Sequence, residues 1–357
     1  MALPAFQPAL SARVLVVDDS AFMRHAIERL LAKVPGIEVV GAAADGVEAV
    51  QKVLELRPDV ITMDVEMPRM DGVTAVGEIM KTVPTPIVMV STMTTAGAET
   101  TMRALEAGAV DFIAKPSHLS AQITNVAEEL TAAIHRARNA RVSRRRPQPQ
   151  AAFVKTGSAT SAISSAAIAV IGCSTGGPPA LTEVVPHLPA DMPAGVVVVQ
   201  HMPAGFTGAL ARRLDQLSPL HVKEAAEGDV VAAGQVLIAP GDYHTVIGRD
   251  RRIRLNQAPQ VHGVRPSVDV TLESVAEVYG SRATVAILTG MGRDGADGCV
   301  RVEGAGGRII VQDEATSVVY GMPRVAREKT RHALQLPIGS IAGAVAEGAR
   351  AAAGRGR

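Results

Sequence analysis

The sequence predicts two α/β domains, each built on a parallel sheet, joined by a basic connector. Three observations carry this expectation. The chain has 357 residues, more than one hydrophobic core comfortably organises. Short β-branched runs alternate with helix-length amphipathic stretches in both halves, the rhythm of strands covered on both faces. The formal net charge of +1 hides a sharp division: residues 1–133 carry 10 Lys+Arg against 17 Asp+Glu, residues 134–164 carry 7 against none, and residues 165–357 carry 19 against 18.

The first domain, 1–133, has strand centres at Val14–Val17, Val39–Val40, Val60–Met63, Ile87–Val90 and Phe112–Ala114. Pro35-Gly36, Pro58-Asp59, Pro84 with Pro86, and Gly108 punctuate them as turn residues. The connector, 134–164, mixes Arg, Pro, Gln, Ser and small residues without an apolar period, so it reads as a flexible linker whose first part extends the preceding helix. Arg144, Arg145 and Arg146 fit a solvated tether or a partner for the acidic first domain better than a nucleic-acid contact, since no aromatic or recognition-helix pattern adjoins them. In the third segment, 165–357, the rhythm resumes at Ile168–Ile171, Val196–Val199, Val285–Leu288 and Ile309–Val311. Between them, Gln235–Arg254 predicts one or two antiparallel hairpins.

Composition removes several classes. Two cysteines, Cys173 and Cys299, exclude a disulfide framework and a four-thiolate zinc site. Aromatic residues are 2%, too few for a stacking platform on single-stranded nucleic acid. No run reaches the ~18 apolar residues of a membrane span, and the first residues lack a basic stretch followed by a long apolar one. A cytoplasmic protein without membrane insertion is expected.

Ligands of an open α/β sheet bind beyond the carboxyl ends of its strands. Asp18 and Asp19 fall at the end of the first strand, Asp64 at the third, Ser91 at the fourth and Lys115 after the fifth. Such a group of carboxylates suits Mg²⁺, and Asp64 could attack phosphorus with Lys115 neutralising charge. An N-cap at Asp19-Ser20 explains one of these positions but not all five together. VLVVDDS, MDVEMPRMDG, PIVMVST and FIAKP, in that order, resemble the receiver domain of bacterial response regulators, a flavodoxin-like fold with a five-stranded parallel sheet. The resemblance implies that Asp64 accepts a phosphoryl group from a histidine kinase. It implies that Asp18, Asp19, Asp64 and the Glu66 carbonyl hold Mg²⁺, and that Ser91, Phe112 and Lys115 form the switch. Ser91 stands where Thr is common in the family and keeps the hydroxyl.

Three strand-end motifs mark the second domain. Ile168–Ile171 runs into GCSTGGP, which fits G-x-S-x-G at a strand-to-helix turn and projects Ser174 above the sheet. Cys173 is a rival nucleophile that reads better as a small buried filler. VVVVQH ends in His201, a candidate base, and LTGMGRDG supplies Asp294, a candidate orienting carboxylate. The same loop matches G-x-G-x-x-G with Asp313 about twenty residues on, a dinucleotide fingerprint. That reading leaves Ser174 and His201 unexplained and puts a carboxylate beside pyrophosphate, so the triad is preferred. The order Ser174, His201, Asp294 differs from the Ser, acid, His order of α/β-hydrolases.

IGCSTGGP, VVVQHMP, IAPGDYH, RPSVDV, LTGMGRDG and VYGMPRVA resemble the catalytic domain of the chemotaxis protein-glutamate methylesterases, the CheB family. The resemblance implies a doubly wound α/β methylesterase domain and a hydrolase that removes γ-methyl esters from chemoreceptor glutamates and deamidates glutamines. Ser174 is then the nucleophile, His201 the base and acid, Asp294 the orienting group, and Met291 with Thr175 the oxyanion hole. No cofactor is expected for the esterase. Arg265, Ser267 and Asp269 border the cleft in the family, while Ser267 and Asp269 also fit the N-cap of a helix over Val268–Tyr279. The unphosphorylated receiver of the family covers the cleft and phosphorylation loosens it. Two alternatives remain: a receiver fused to a dinucleotide-binding oxidoreductase-like domain, and a DNA-binding response regulator, which requires a helical reader after the connector.

Overall fold

The computed structural model describes residues 11–92, 94–115, 123–142 and 164–354. The chain divides into two compact units, Met1–Met93 with Arg103–Arg146, and Thr94–Met102 with Pro147–Arg357. Arg144, Arg145, Arg146 and most of the connector lie outside the described residues.

The first sheet is assembled from β1 (Ala12–Val17), β2 (Ile37–Ala43), β3 (Val60–Asp64), β4 (Ile87–Ser91) and β5 (Asp111–Ala114). Helices α1 (Ala21–Leu31), α2 (Gly46–Leu56), α3 (Gly72–Thr82), α4 (Thr95–Ala107) and α5 (Ile123–Arg138) follow the strands in turn. The strands pair in the order β2-β1-β3-β4-β5, all parallel, the flavodoxin-like arrangement. β3 and β4 are buried at every position, as strands covered on both faces must be. Their continuous Val/Ile/Met runs each bury side chains worth about 1.5–3 kcal/mol apiece. Helix starts are set by local chemistry: Ser20 accepts from the Met23 amide, and Asp45 and Asp71 cap α2 and α3 in the same way. α5 continues to Arg138, so residues 134–138 of the connector belong to this helix.

The second unit holds β6 (Ala167–Cys173), α6 (Gly177–Val184), β7 (Ala194–Gln200), α7 (Phe206–Leu217), β8 (His221–Glu224) and β9 (Gln235–Ile238). These are followed by β10 (His244–Ile247), β11 (Ile253–Asn256), α8 (Val268–Tyr279), β12 (Ala283–Ile287), α9 (Ala296–Gly304) and β13 (Arg308–Gln312). α10 (Met322–Lys329), β14 (Leu334–Leu336) and α11 (Ile338–Gly354) complete the unit. Seven strands form one parallel sheet, β14-β13-β12-β6-β7-β9-β8. β6 and β7, buried throughout, run through its middle. The core on one face gathers Ile168, Val170, Val197, Val199, Leu272, Val285 and Val311.

Of the one or two antiparallel hairpins expected over Gln235–Arg254, one forms: β10 and β11 pair antiparallel as a separate two-stranded ribbon. β9 joins the main sheet parallel to β7 and β8, because its four buried positions need neighbours on both sides. β8 and β14, short edge strands, carry too few apolar residues to stand out in the sequence: β8 is His-Val-Lys-Glu, and two of the three residues of β14 are exposed.

The start of α3 presses on the end of β3. A β-carbon on Gly72 would lie 2.1 Å from the Asp64 carbonyl oxygen, a backbone atom that cannot swing away. Gly72→Ala should therefore destabilise the first unit by about 2–3 kcal/mol through overpacking. Far-UV circular dichroism during guanidinium unfolding checks this, and an unchanged midpoint would contradict it.

Candidate active site

At the carboxyl edge of the first sheet, Asp18 follows β1 and Asp64 closes β3, both buried, with Asp19 exposed beside them. Oxygens from the three carboxylates lie within 4.8 Å of one another. Lys115, just past β5, reaches Asp64 Oδ2 at 2.6 Å and Asp18 Oδ2 at 3.0 Å, and its amide bonds the Ser91 carbonyl. Burial pushes the Asp64 carboxyl above its usual range, with Asp18 adding repulsion against the pull of Lys115. Burial alone would lower Lys115, but the facing Asp64 and Asp18 outweigh it and hold the ammonium charged. Three carboxylates against one ammonium leave negative charge uncompensated, and Asp18 Oδ2 accepts no well-directed hydrogen bond. An oxygen set with spare acceptor capacity fits a hard divalent cation. Glu66 sits exposed in the loop after β3. Ser91 and Phe112 are buried on β4 and β5. The cap of α1 is Ser20, so Asp19 is not occupied by that role.

In the second unit, the last register pair of β6 and β7 is Cys173↔Gln200, so Ser174 and His201 are the next residues on adjacent strand ends. The His201 amide bonds the Cys173 carbonyl at 3.1 Å. On the other side, the Ser174 amide bonds the Thr289 carbonyl beyond β12. His201 Nε2 lies 2.7 Å from Asp294 Oδ2. The Asp294 carboxylate also accepts the Ser267 hydroxyl at 2.7 Å, the Val268 amide at 2.7 Å and the Asp269 amide at 3.0 Å. It thus sits on the first turn of α8, where free N–H groups and the helix dipole favour an anion. Burial by itself would raise its pKa, but the bonds from His201, Ser267 and Asp269 outweigh this and hold the carboxyl well below its usual range.

With Nε2 committed to Asp294, Nδ1 is the ring nitrogen left uncommitted. Ser174 Oγ makes no hydrogen bond to His201 in this conformation, a gap of the kind that closes in substrate complexes. The Met291 N–H, in the loop after β12, also has no partner among the described residues, while Met291 itself is exposed. Thr175 is buried, its carbonyl accepting Thr289 Oγ1 at 3.0 Å. Cys173 is fully buried, and burial pushes its thiol pKa far up, away from thiolate chemistry.

Ser267 combines the two readings the sequence offered. It caps α8 through the Val270 amide and also donates to Asp294. Asp269 instead turns its side chain to the Gly298 amide and His262, offering Asp294 only its backbone. Arg265 is held by Asp242 and by the carbonyls of Gln257 and Ala258. The dinucleotide alternative fails on the same geometry. Asp294 is turned to His201 and the start of α8, and Asp313 is bonded to the amide and hydroxyl of Thr316. The DNA-binding alternative fails because a seven-stranded parallel sheet, not a helical reader, comes after the connector.

Both halves of the chain match known families. Residues 169–345 match the family model of the CheB methylesterase, and residues 14–127 that of the response regulator receiver domain. The protein-glutamate methylesterase/protein-glutamine glutaminase of Symbiobacterium thermophilum is 51% identical, over 93% of this chain and 96% of that one. The chain belongs to the CheB family. The Thermotoga maritima member is 46% identical, over 89% of this chain and 92% of its own length. The crystal structure of the Thermotoga maritima CheB methylesterase catalytic domain superposes with a TM-score of 0.50 at 45% identity, covering 52% of this chain and 99% of that one. No helix among the described residues is long and apolar enough to cross a membrane.

The depressed Asp294 carboxyl has a consequence for stability. A group whose folded pKa is lowered stabilises the fold above its unfolded pKa, and that contribution is lost as pH falls through the folded value. Stability of the second unit should drop below about pH 4 in the wild type, and Asp294→Asn should flatten that drop. All three tyrosines, Tyr243, Tyr279 and Tyr320, lie in this unit and no Trp is present, so tyrosine fluorescence reports its unfolding selectively. Parallel acid profiles of the two proteins would contradict the assignment.

Proposed function

We propose that this chain is a phosphorylation-regulated hydrolase of the cytoplasm that demethylates γ-methyl-glutamate, and deamidates glutamine, on methyl-accepting chemoreceptors. The observation that carries the reading is the 2.7 Å contact of His201 with Asp294, beside a serine on the neighbouring strand end, in a chain of the CheB family. Ser174 Oγ attacks the ester carbonyl carbon as its proton passes to His201 Nδ1. The Met291 amide, with Thr175 as second donor, receives the oxyanion. The C–O bond to methoxide breaks and methanol leaves with the proton from His201. Water then loses a proton to His201 as it attacks the acyl carbon, the bond from that carbon to Ser174 Oγ breaks, and His201 returns the proton to Ser174 Oγ as glutamate leaves. A glutamine substrate follows the same path with ammonia as leaving group. Asp294 keeps Nε2 protonated and stabilises the imidazolium.

Regulation is assigned to the receiver. Asp64 is the phospho-acceptor and a chemotaxis histidine kinase the donor. Asp18, Asp19, Asp64 and the Glu66 carbonyl would hold Mg²⁺, which when bound offsets charge on the transferred phosphoryl group. Lys115 pairs with the phosphoryl oxygens, and Ser91 and Phe112 report the change to the rest of the unit.

Methanol release from methylated receptor fragments tests the reading. Ser174→Ala should abolish release, whereas Cys173→Ala should keep it within about tenfold, the scale of one lost weak hydrogen bond. Loss of release in a folded Cys173→Ala protein would move the nucleophile to the thiol. Acetyl phosphate should stimulate the wild type and not Asp64→Ala. Equal stimulation of both would remove Asp64 from the regulatory role.

A further inference from the structure

Gln200 is the last residue of β7, and its side chain is buried to 2% exposure. Its Nε2 donates to the Ser174 carbonyl at 3.0 Å and to the His201 carbonyl at 3.0 Å. Its Oε1 accepts the Cys173 thiol at 3.0 Å. The orientation of the carboxamide is not arbitrary: carbonyls only accept, so the NH₂ must face Ser174 and His201, which leaves the oxygen for the one donor nearby. Space for this group exists because residue 177 is glycine; a β-carbon there would lie 1.8 Å from Gln200 Oε1.

We infer that Gln200 is a positioning residue, whose single carboxamide sets the separation of nucleophile and base by holding the backbone carbonyls of Ser174 and His201. The inference rests on the proposed roles of Ser174 as nucleophile and His201 as base. Both residues stand just past the last register pair of β6 and β7, where one ladder bond, from the His201 amide to the Cys173 carbonyl, remains. The two N–H groups of one rigid plane add to it by holding the carbonyls of both residues. Cys173 thereby acquires a role other than nucleophile, as the donor that orients the carboxamide. A second buried glutamine does similar work across the sheet. Gln312, the last residue of β13, accepts the Thr289 amide at 2.7 Å and donates to the Thr316 carbonyl at 2.8 Å, steadying the loop that carries Met291.

Gln200→Glu keeps the shape and removes the donors, and Gln200→Met keeps the bulk without polarity. With the full chain and phosphodonor, kcat for methanol release at pH 8 should fall about a hundredfold in both, with KM within about twofold, the cost of a misplaced reacting pair. Burial raises the pKa of the new carboxyl, so acidification favours its protonated form, which restores one donor. The kcat of Gln200→Glu relative to wild type should therefore rise as pH falls, while that of Gln200→Met stays flat. Tyrosine-fluorescence melts establish that each variant is folded, and if only Gln200→Met folds, its kcat and KM decide. Wild-type kcat in either folded variant, a loss carried by KM, or a pH-flat ratio for folded Gln200→Glu would overturn the role. Methanol release surviving in Ser174→Ala would instead overturn the underlying assignment of the nucleophile.

Discussion

A buried carboxylate is costly unless every oxygen is satisfied, and the second unit is arranged around satisfying one. Asp294 receives bonds from an imidazole, a hydroxyl and two amides at the start of α8. These donors fix where the carboxylate points, and the carboxylate in turn fixes the imidazole. Because Asp294 takes Nε2, Nδ1 is the ring nitrogen left for proton transfer. Close packing preserves the seat: β-carbons on Gly172 or Gly295 would meet Val268 side-chain atoms at 2.7 and 2.8 Å.

The two sheets deliver chemistry by the same topological rule and opposite electrostatics. Parallel strands bring their carboxyl ends to one edge, so residues distant in sequence become neighbours. In the first sheet that edge collects three carboxylates around one lysine, leaving a charge deficit suited to a cation and a phosphoryl group. In the second, a single carboxylate is neutralised by oriented donors, leaving a polarised imidazole suited to proton transfer. The net charge near zero conceals this contrast, and the acidity of residues 1–133 has part of its source at Asp18, Asp19 and Asp64.

Most of this was legible before the fold was seen, for a physical reason. Fully buried parallel strands must be nearly continuous apolar runs, and the residue just past the carboxyl end of such a run stands at the sheet edge, where ligands bind. Hence Asp18, Asp64, Ser174 and His201 could be picked out by position. Other features left weaker traces. β8 and β14 are edge strands without an apolar run, and β9 directly precedes the two ribbon strands in sequence, so it reads as part of the same hairpins. Ser267 looked like a helix cap, and is one, but only folding shows that the cap also faces Asp294. Gln200 and Gln312 carried a faint signal: a polar residue closing an otherwise apolar strand is expensive to bury and needs a reason.

The central claim is that Asp294, seated on α8, holds His201 by Nε2 and leaves Nδ1 free for Ser174. Nitrogen-15 NMR of histidine-labelled protein at neutral to mildly alkaline pH reads this directly. The account predicts that the neutral His201 ring carries its proton on Nε2, hydrogen bonded to Asp294, with a bare Nδ1. A neutral ring protonated on Nδ1 would contradict it.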